Sequence, residues 1–153
     1  MKILEYYIKD LLLKQCGHLI RDNQHGFCID KSCLTQLLTY VDKLLIAMNN
    51  KSRTDAIYFD FSKAFDSVNH DLILLKLKNK FGINGLLLQF LKDYFINRKQ
   101  QVAFNGSLSG LLQVSSGVPQ GSILGTLLFV IFINDISDEI SDGTELALYA
   151  DET

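Results

Sequence analysis

Tryptophan is absent from the chain and proline occurs once, at Pro119. No stretch reads as an extended linker, and there is neither an internal repeat nor a low-complexity tract, which excludes repeat and disordered-tail architectures. Membrane-spanning runs are missing too. The longest apolar run, "ILGTLLFVIFI" from Ile123 to Ile133, is too short and is closed by Asn134 and Asp135. The opening "MKILEYYIKDLLLK" mixes acids and bases among its apolar residues, so it is no signal peptide. Cysteine is scarce: Cys16, Cys28 and Cys33 are odd in number and lack CxxC spacing. Cys28 and Cys33 with His25 suggest a metal site only weakly, because no second ligand pair exists. Free thiols in a reducing intracellular compartment, nuclear or cytoplasmic, without disulfides or a membrane anchor, are the expectation.

Basic residues are missing from the last third. All 15 Lys and Arg residues lie at or before Lys99, where they face 10 acids; the other 7 acids follow with no base among them. A positive first part suits phosphates and a negative second part suits cations.

What is present describes one domain. The 153 residues, 48% hydrophobic and 21% charged, suffice to bury a core. Ile3, Leu4, Tyr7, Ile8, Leu11 and Leu12 recur at helical spacing. A second helix is expected after Ser32 as N-cap, with Leu34, Leu37, Leu38, Val41, Leu44, Leu45 and Met48 on one face and Asn49 and Asn50 closing it. "DAIYFDF" alternates as a strand, placing Ile57, Phe59 and Phe61 on one side and Asp60 on the other. "NHDLILLKLKNKFG" and "GLLLQFLKDYFINRK" read as helices, the first ending near Gly82. "QQVAFNGSLSGLLQV" reads as two short strands about the Asn105-Gly106 turn. A mostly buried helix capped by Ser122 and a last strand, "TELALYA", complete an α+β pattern.

Asp60 and the adjacent Asp151 and Glu152 are the chemically suggestive carboxylates. Two carboxylates about 4 Å apart repel by roughly 4 kcal/mol at an effective dielectric of 20. A fold that gathers them therefore calls for a cation. Hard oxygens with open coordination positions suit Mg²⁺, and two such ions can clamp both oxygens of a phosphoryl transfer.

Three ordered phrases carry a resemblance: "FDFSKAFDSVNH" from Phe59, "SSGVPQGSILG" from Ser115 and "LYAD" from Leu148. They resemble motifs A, B and C of reverse transcriptases, in wording similar to the non-LTR, LINE-type and jockey-like retrotransposon branch. "INRKQQVAFNGSLSG" and "QHGF" look like the same branch.

The resemblance implies a right-hand polymerase fragment, with an antiparallel palm sheet packed on helices. About 1–55 would be fingers-like and about 56–153 palm-like. It implies an RNA-directed DNA polymerase using two Mg²⁺ ions, with Mn²⁺ as the alternative, an RNA template, a DNA primer and deoxynucleoside triphosphates. Asp60, Asp151 and Glu152 match the catalytic positions, and Asp60 and Asp151 the metal ligands. Phe65 matches the aromatic side gate under the sugar, and Gln120 the contact to the incoming nucleotide. Gly117 and Gly121 let backbone approach it, and Lys63 and Asp66 lie in the triphosphate turn. Lys31, Arg98 and Lys99 are candidate cations for the triphosphate and the nucleic acid.

The wording departs from that pattern at several points. Glu152 stands where the family has a second Asp, extending the carboxylate by roughly 1.5 Å. Cys28 and Asp30 stand where the fingers motif has Arg and Gly, and Thr126 where Pro would start a helix. A thumb and an endonuclease have no counterpart, so a fragment truncated at both ends, without activity of its own, is expected. The alternative is a catalytically inactive remnant or nucleic-acid-binding module. An unrelated Asp-dependent phosphotransferase accounts for the carboxylates but not for "GVPQGS".

Overall fold

The computed structural model describes residues 2–96, 98–141 and 143–150. It is α+β, with five α-helices and two small antiparallel pairs of strands. The elements are α1 (Lys2–Cys16), α2 (Cys33–Asn49), α3 (His70–Asn79), α4 (Gly85–Phe95), β1 (Lys99–Gln100), β2 (Ala103–Phe104), β3 (Ser107–Leu108), β4 (Leu112–Gln113) and α5 (Ile123–Ile133). Short 3₁₀ turns occupy Gly17–Leu19, Phe65–Ser67 and Asn134–Glu139.

The core is built around α5. Its sequence has no polar side to turn toward water, and seven residues, Leu124, Gly125 and Leu127 through Ile131, are buried. Enclosure comes from α1 and α3, with α4 packed behind α3. The start of α5 is tied down by side chains. Ser122 Oγ accepts from the Gly125 N–H at 3.0 Å, as expected of the cap. Glu5 of α1 accepts from the Ser122 hydroxyl at 2.8 Å and from the Ile123 N–H at 3.2 Å. A carboxylate at this end of a helix meets unpaired N–H groups and the positive end of the helix dipole. The helix begins at Ile123, so Thr126 lies within its first turn rather than at its first position. Its N–H donates to Ser122 O at 3.2 Å, a bond that proline lacks.

Helix α1 forms where expected, but its buried row is Ile8, Leu12 and Cys16. Ile3, Leu4 and Tyr7 face solvent, because the i, i+4 row through Ile8 is the one that meets α5. Burial pushes the Cys16 thiol up to about 11, so it stays neutral in the core.

Helix α2 starts at a full capping box. Ser32 Oγ accepts from the Thr35 N–H, and the Ser32 N–H donates to Thr35 Oγ1. Its leucine face is not buried: Leu34, Leu37, Leu38, Val41, Leu45 and Met48 are all exposed.

The Asn105-Gly106 hairpin is as expected. Ala103 pairs with Leu108 and Phe104 with Ser107, while both turn residues have positive φ, 47° and 77°, as a type I′ turn requires. A second pair, Lys99 with Gln113 and Gln100 with Leu112, extends the arm.

Two strand expectations are corrected. Residues 52–59 have no regular secondary structure, and Ile57, Tyr58 and Phe59 are exposed; only Asp60 holds a bridge position. The last segment is reduced to bridge positions at Leu148 and Tyr149. Alternating apolar residues make a strand only when a neighbour supplies the ladder, and no described strand runs beside either segment.

The uneven charge is partly an internal complement. Lys76 and Lys80 of α3 meet Asp135 at 2.6 and 2.9 Å, Lys80 also reaches Asp138, and Arg21 pairs with Asp138. Lys43 meets Glu145 at 2.7 Å. Burial by itself pushes the Asp135 carboxyl up, but hydrogen bonds from Lys76 and Lys80 outweigh it and hold the group below the usual carboxylate range. A depressed carboxylate stabilises the fold above its unfolded value and loses that effect as pH falls through its folded value. Asp135→Asn is expected to cost about 1–2 kcal/mol at pH 7 in chemical denaturation. The gap from the parent should stay constant near neutrality and close below about pH 4.

Candidate functional site

The turn after Asp60 is shaped by its own backbone. Lys63 sits in the left-handed region at φ 54°, and its carbonyl accepts from the N–H groups of Asp66 and Ser67, both at 3.0 Å. This tight turn is stitched to the segment around Gly117. The Gly117 N–H donates to Val68 O, and the Val118 N–H to Phe65 O, each at 2.8 Å. Ser116 Oγ donates to Asp66 O at 3.0 Å, and Asn69 bridges Ser116. Gly117 is required twice over. Its φ is 91°, and a Cβ there would lie 2.9 Å from the Asp66 backbone. His70 secures the far side, its Nε2–H donating to Gly117 O at 2.8 Å while its ring stacks on Phe95.

An aromatic stack runs through this seam. Phe65 lies nearly flat on Phe129 of α5, with centroids 4.4 Å apart at 24°. Phe27 stands nearly perpendicular to Phe65, with centroids 6.0 Å apart at 83°. The buried helix thus forms the floor under Phe65, and the loop ahead of α2 forms its side.

A second seam joins that loop to the end of the described chain. The Leu148 N–H donates to Asn23 O at 2.9 Å, and the His25 N–H to Leu148 O at 2.8 Å, in a parallel bridge between Gln24 and Leu148. Leu148 and Ala150 are buried. The two seams bring "FDFSKAFDSV", "SSGV", "QHGF" and "LYA" together about one aromatic stack, although the sequence separates them by up to 126 positions.

The expected site residues fall in different settings. Asp60 is exposed, at a bridge position five residues ahead of Phe65. Asp151 and Glu152 lie outside the described residues. Lys63 and Asp66 are exposed in the turn, with the Asp66 N–H already committed to Lys63 O. Gln120 and Gly121 are exposed in the turn before α5, Gly121 at φ 77°. The Lys31 ammonium is taken up by Asp22, donating to its carbonyl at 2.7 Å. Arg98 lies over the Tyr94 ring at 5.0 Å, and Lys99 is exposed on β1.

The departures from the fingers pattern also have a geometry. Asp30 holds φ 60°, a conformation natural to glycine and tolerated by aspartate. Burial raises the Cys28 thiol against a smaller opposing pull from Lys31, so this position offers no charge. Among the described residues, no three His, Cys, Asp or Glu side chains gather as a metal site, and His25 with Cys28 and Cys33 is not one. Asp60 and Asp66 are exposed carboxylates, and Asp60 forms no ion pair with a described residue.

A cleft of about 460 Å³ lies elsewhere, lined by Arg21, Lys76, Lys80, Asp135 and Asp138. Its charges are spent on one another, so it is part of the scaffold rather than of this site. Sequence reading passed over Gln24, Gly26, Glu5, Ser116 and His70. Gly26 and Gln24 stood in the quoted "QHGF", but the partners that give them meaning are distant in sequence.

The whole chain, residues 1–153, matches the family model described as reverse transcriptase (RNA-dependent DNA polymerase). It is 32% identical over 160 residues to the RNA-directed DNA polymerase from mobile element jockey of Drosophila melanogaster, covering 99% of this chain and 17% of that protein. It is 32% identical over 134 residues to the probable RNA-directed DNA polymerase from transposon X-element of the same organism, covering 86% and 14%. For that from transposon BS the identity is 29% over 157 residues, covering 99% and 17%. The chain thus spans less than a fifth of the length of these relatives. With its three motif phrases drawn around one aromatic stack, the chain belongs to the reverse transcriptase (RNA-dependent DNA polymerase) family and is homologous to the polymerases of non-LTR transposons.

Proposed function

We propose that this chain is the nucleotide-handling part of an RNA-directed DNA polymerase, with about 1–55 contributing fingers-like and about 56–153 palm-like structure. The observation that carries the reading is the seam between Phe65–Val68 and Ser116–Val118, which holds the segment after Asp60 against the second motif and sets Phe65 on Phe129. In this reading Asp60 and Asp151 hold Mg²⁺, or Mn²⁺, with Glu152 adjoining. When bound, the ions neutralise charge on the attacking 3′ oxygen and on the departing pyrophosphate.

The chain's own residues shape the pocket. Phe65 is packed between Phe129, on which it stacks, and Phe27, which stands nearly perpendicular to it. It therefore acts as a fixed wall against a ribose 2′-hydroxyl. Gly117 draws the two motif segments to backbone contact, and Gln120 and Gly121 present an exposed turn toward a base. Lys63 offers its ammonium to phosphate. Arg98 and Lys99 meet the sugar-phosphate backbone of an RNA template or DNA primer, so that binding weakens with salt.

Two observations favour a second reading, an inactive nucleic-acid-binding module. Lys31 is occupied by Asp22, and the position of Cys28 carries a neutral thiol. Titration of the chain with a deoxynucleoside triphosphate, with and without Mg²⁺, separates the two. Mg²⁺-dependent binding is expected. Asp60→Asn should weaken it by at least the roughly 10- to 100-fold that even an outer-shell partner can contribute. RNA binding that ignores metal, with no metal-dependent nucleotide binding, would establish the second reading.

The wall makes its own prediction. Phe65→Val should lower the preference for deoxyribo- over ribonucleotide by about tenfold. The ratio is to be measured within each protein, so that a smaller folded fraction cancels. An unchanged ratio would remove Phe65 from sugar discrimination.

A further inference from the structure

Helices α1 and α5 run side by side in the same direction. Glu5 of α1 meets Ile123 at one end of the pair; at the other, Asn134 donates to Leu19 O and accepts from the Arg21 N–H. Parallel packing brings two positive helix starts together, and Glu5 stands in the first turn of α1 and against the first residue of α5. It lies three positions ahead of Ile8, one turn along the buried row that meets α5. Its Oε2 accepts from the Ser122 hydroxyl at 2.8 Å and from the Ile123 N–H at 3.2 Å. That hydroxyl has one proton, and a carboxylate only accepts. Ser122 Oγ is therefore the acceptor in its other two bonds, from the Gly125 N–H at 3.0 Å and the Tyr94 O–H at 3.1 Å.

Ser122 also closes the turn that carries Gln120. Its N–H donates to Pro119 O at 3.2 Å, and Gly121, third of the four residues, holds φ 77°, the sign a type II turn requires there. Upstream, the turn is tied through the Val118 N–H to Phe65 O. Downstream, it is tied through Ser122 to Glu5. We infer that Glu5 is a positioning residue for Gln120. From α1 it fixes the residue on which the turn closes, so nucleotide affinity depends on a carboxylate committed to Ser122 and Ile123. The inference rests on the proposed contact between Gln120 and the incoming nucleotide. Removing the acceptor would leave a hydroxyl and an N–H without their partner, and a displacement of about 1 Å in the turn is enough to matter to such a site.

The test titrates deoxythymidine triphosphate with Mg²⁺ into the 153-residue chain by calorimetry. Site number and Kd are fitted separately, so a smaller folded fraction lowers the first and not the second. Glu5→Met, of similar reach but without a strong acceptor, should weaken binding about tenfold. Glu5→Gln, which keeps an acceptor oxygen, should recover most of that loss. In a Gln120→Ala background, Glu5→Met should change Kd by less than about twofold, because no side chain is left for the clamp to aim. The Ile123 amide of the parent should be protected from exchange, read by NMR.

An unprotected Ile123 amide in the parent overturns the clamp whether or not any variant folds. If Glu5→Met fails to fold, Glu5→Asp, which keeps the charge and withdraws the oxygen by roughly 1.5 Å, carries the same expectation. Unchanged affinity in Glu5→Met, while Asp60→Asn weakens binding, overturns the positioning role and leaves the polymerase reading intact. Equal losses with and without Gln120 overturn it as well, and make Glu5 a support of the fold at large. A parent chain that binds no triphosphate overturns the polymerase reading, and the positioning role falls with it.

Discussion

Everything in this structure depends on enclosing α5. Eleven residues with scarcely a polar group among them cannot lie on a surface, and each fully buried leucine, isoleucine or phenylalanine side chain contributes about 1.5–3 kcal/mol by leaving water. The requirement dictates where α1 and α3 go, and the helix start dictates the rest. Ser122 caps it, Glu5 from α1 satisfies its N–H group and hydroxyl, and Tyr94 of α4 reaches the same hydroxyl at 3.1 Å. The exposed turn carrying Gln120 and Gly121 thereby runs into a helix start held by three side chains. Phe129, about two turns further along the helix, becomes the floor beneath Phe65.

The functional segments are attached to this core by backbone, not by side-chain charge. The glycines at the contacts, Gly117 against Asp66 and Gly26 against Ala150, are small for a physical reason: a methyl group would occupy the neighbour's backbone. Gly125 follows the same rule inside α5, where a Cβ would lie 2.7 Å from Pro119 O. Polar chemistry can then sit at the rim while the geometry is held from below.

Charge serves two ends. Lys76, Lys80 and Arg21 are consumed by Asp135 and Asp138, tying α3 and the loop after α1 to the turn that ends α5. Lys63 and Lys99 remain exposed. The apolar stripe of α2 stays exposed, together with Ile57, Tyr58 and Phe59, and a 2.6 Å hydrogen bond between Tyr40 and Tyr58 links the two.

Local signals in the sequence determined what local physics can determine. The capping Ser32 and Ser122, the Asn105-Gly106 turn and the five helices depend on residues a few positions apart, and all formed where their patterns placed them. The three motif phrases determined the family, because ordered wording at set distances is itself a local record. Which face of α1 is buried was decided by α5, and the strands expected at 55–61 and 144–150 were decided by whether a partner lies alongside. The two seams, the stack of Phe27, Phe65 and Phe129, and the place of Gln24 could come only from tertiary structure. Each is a contact between segments 38 to 126 positions apart, and no periodicity within one segment can state what another will bring to it.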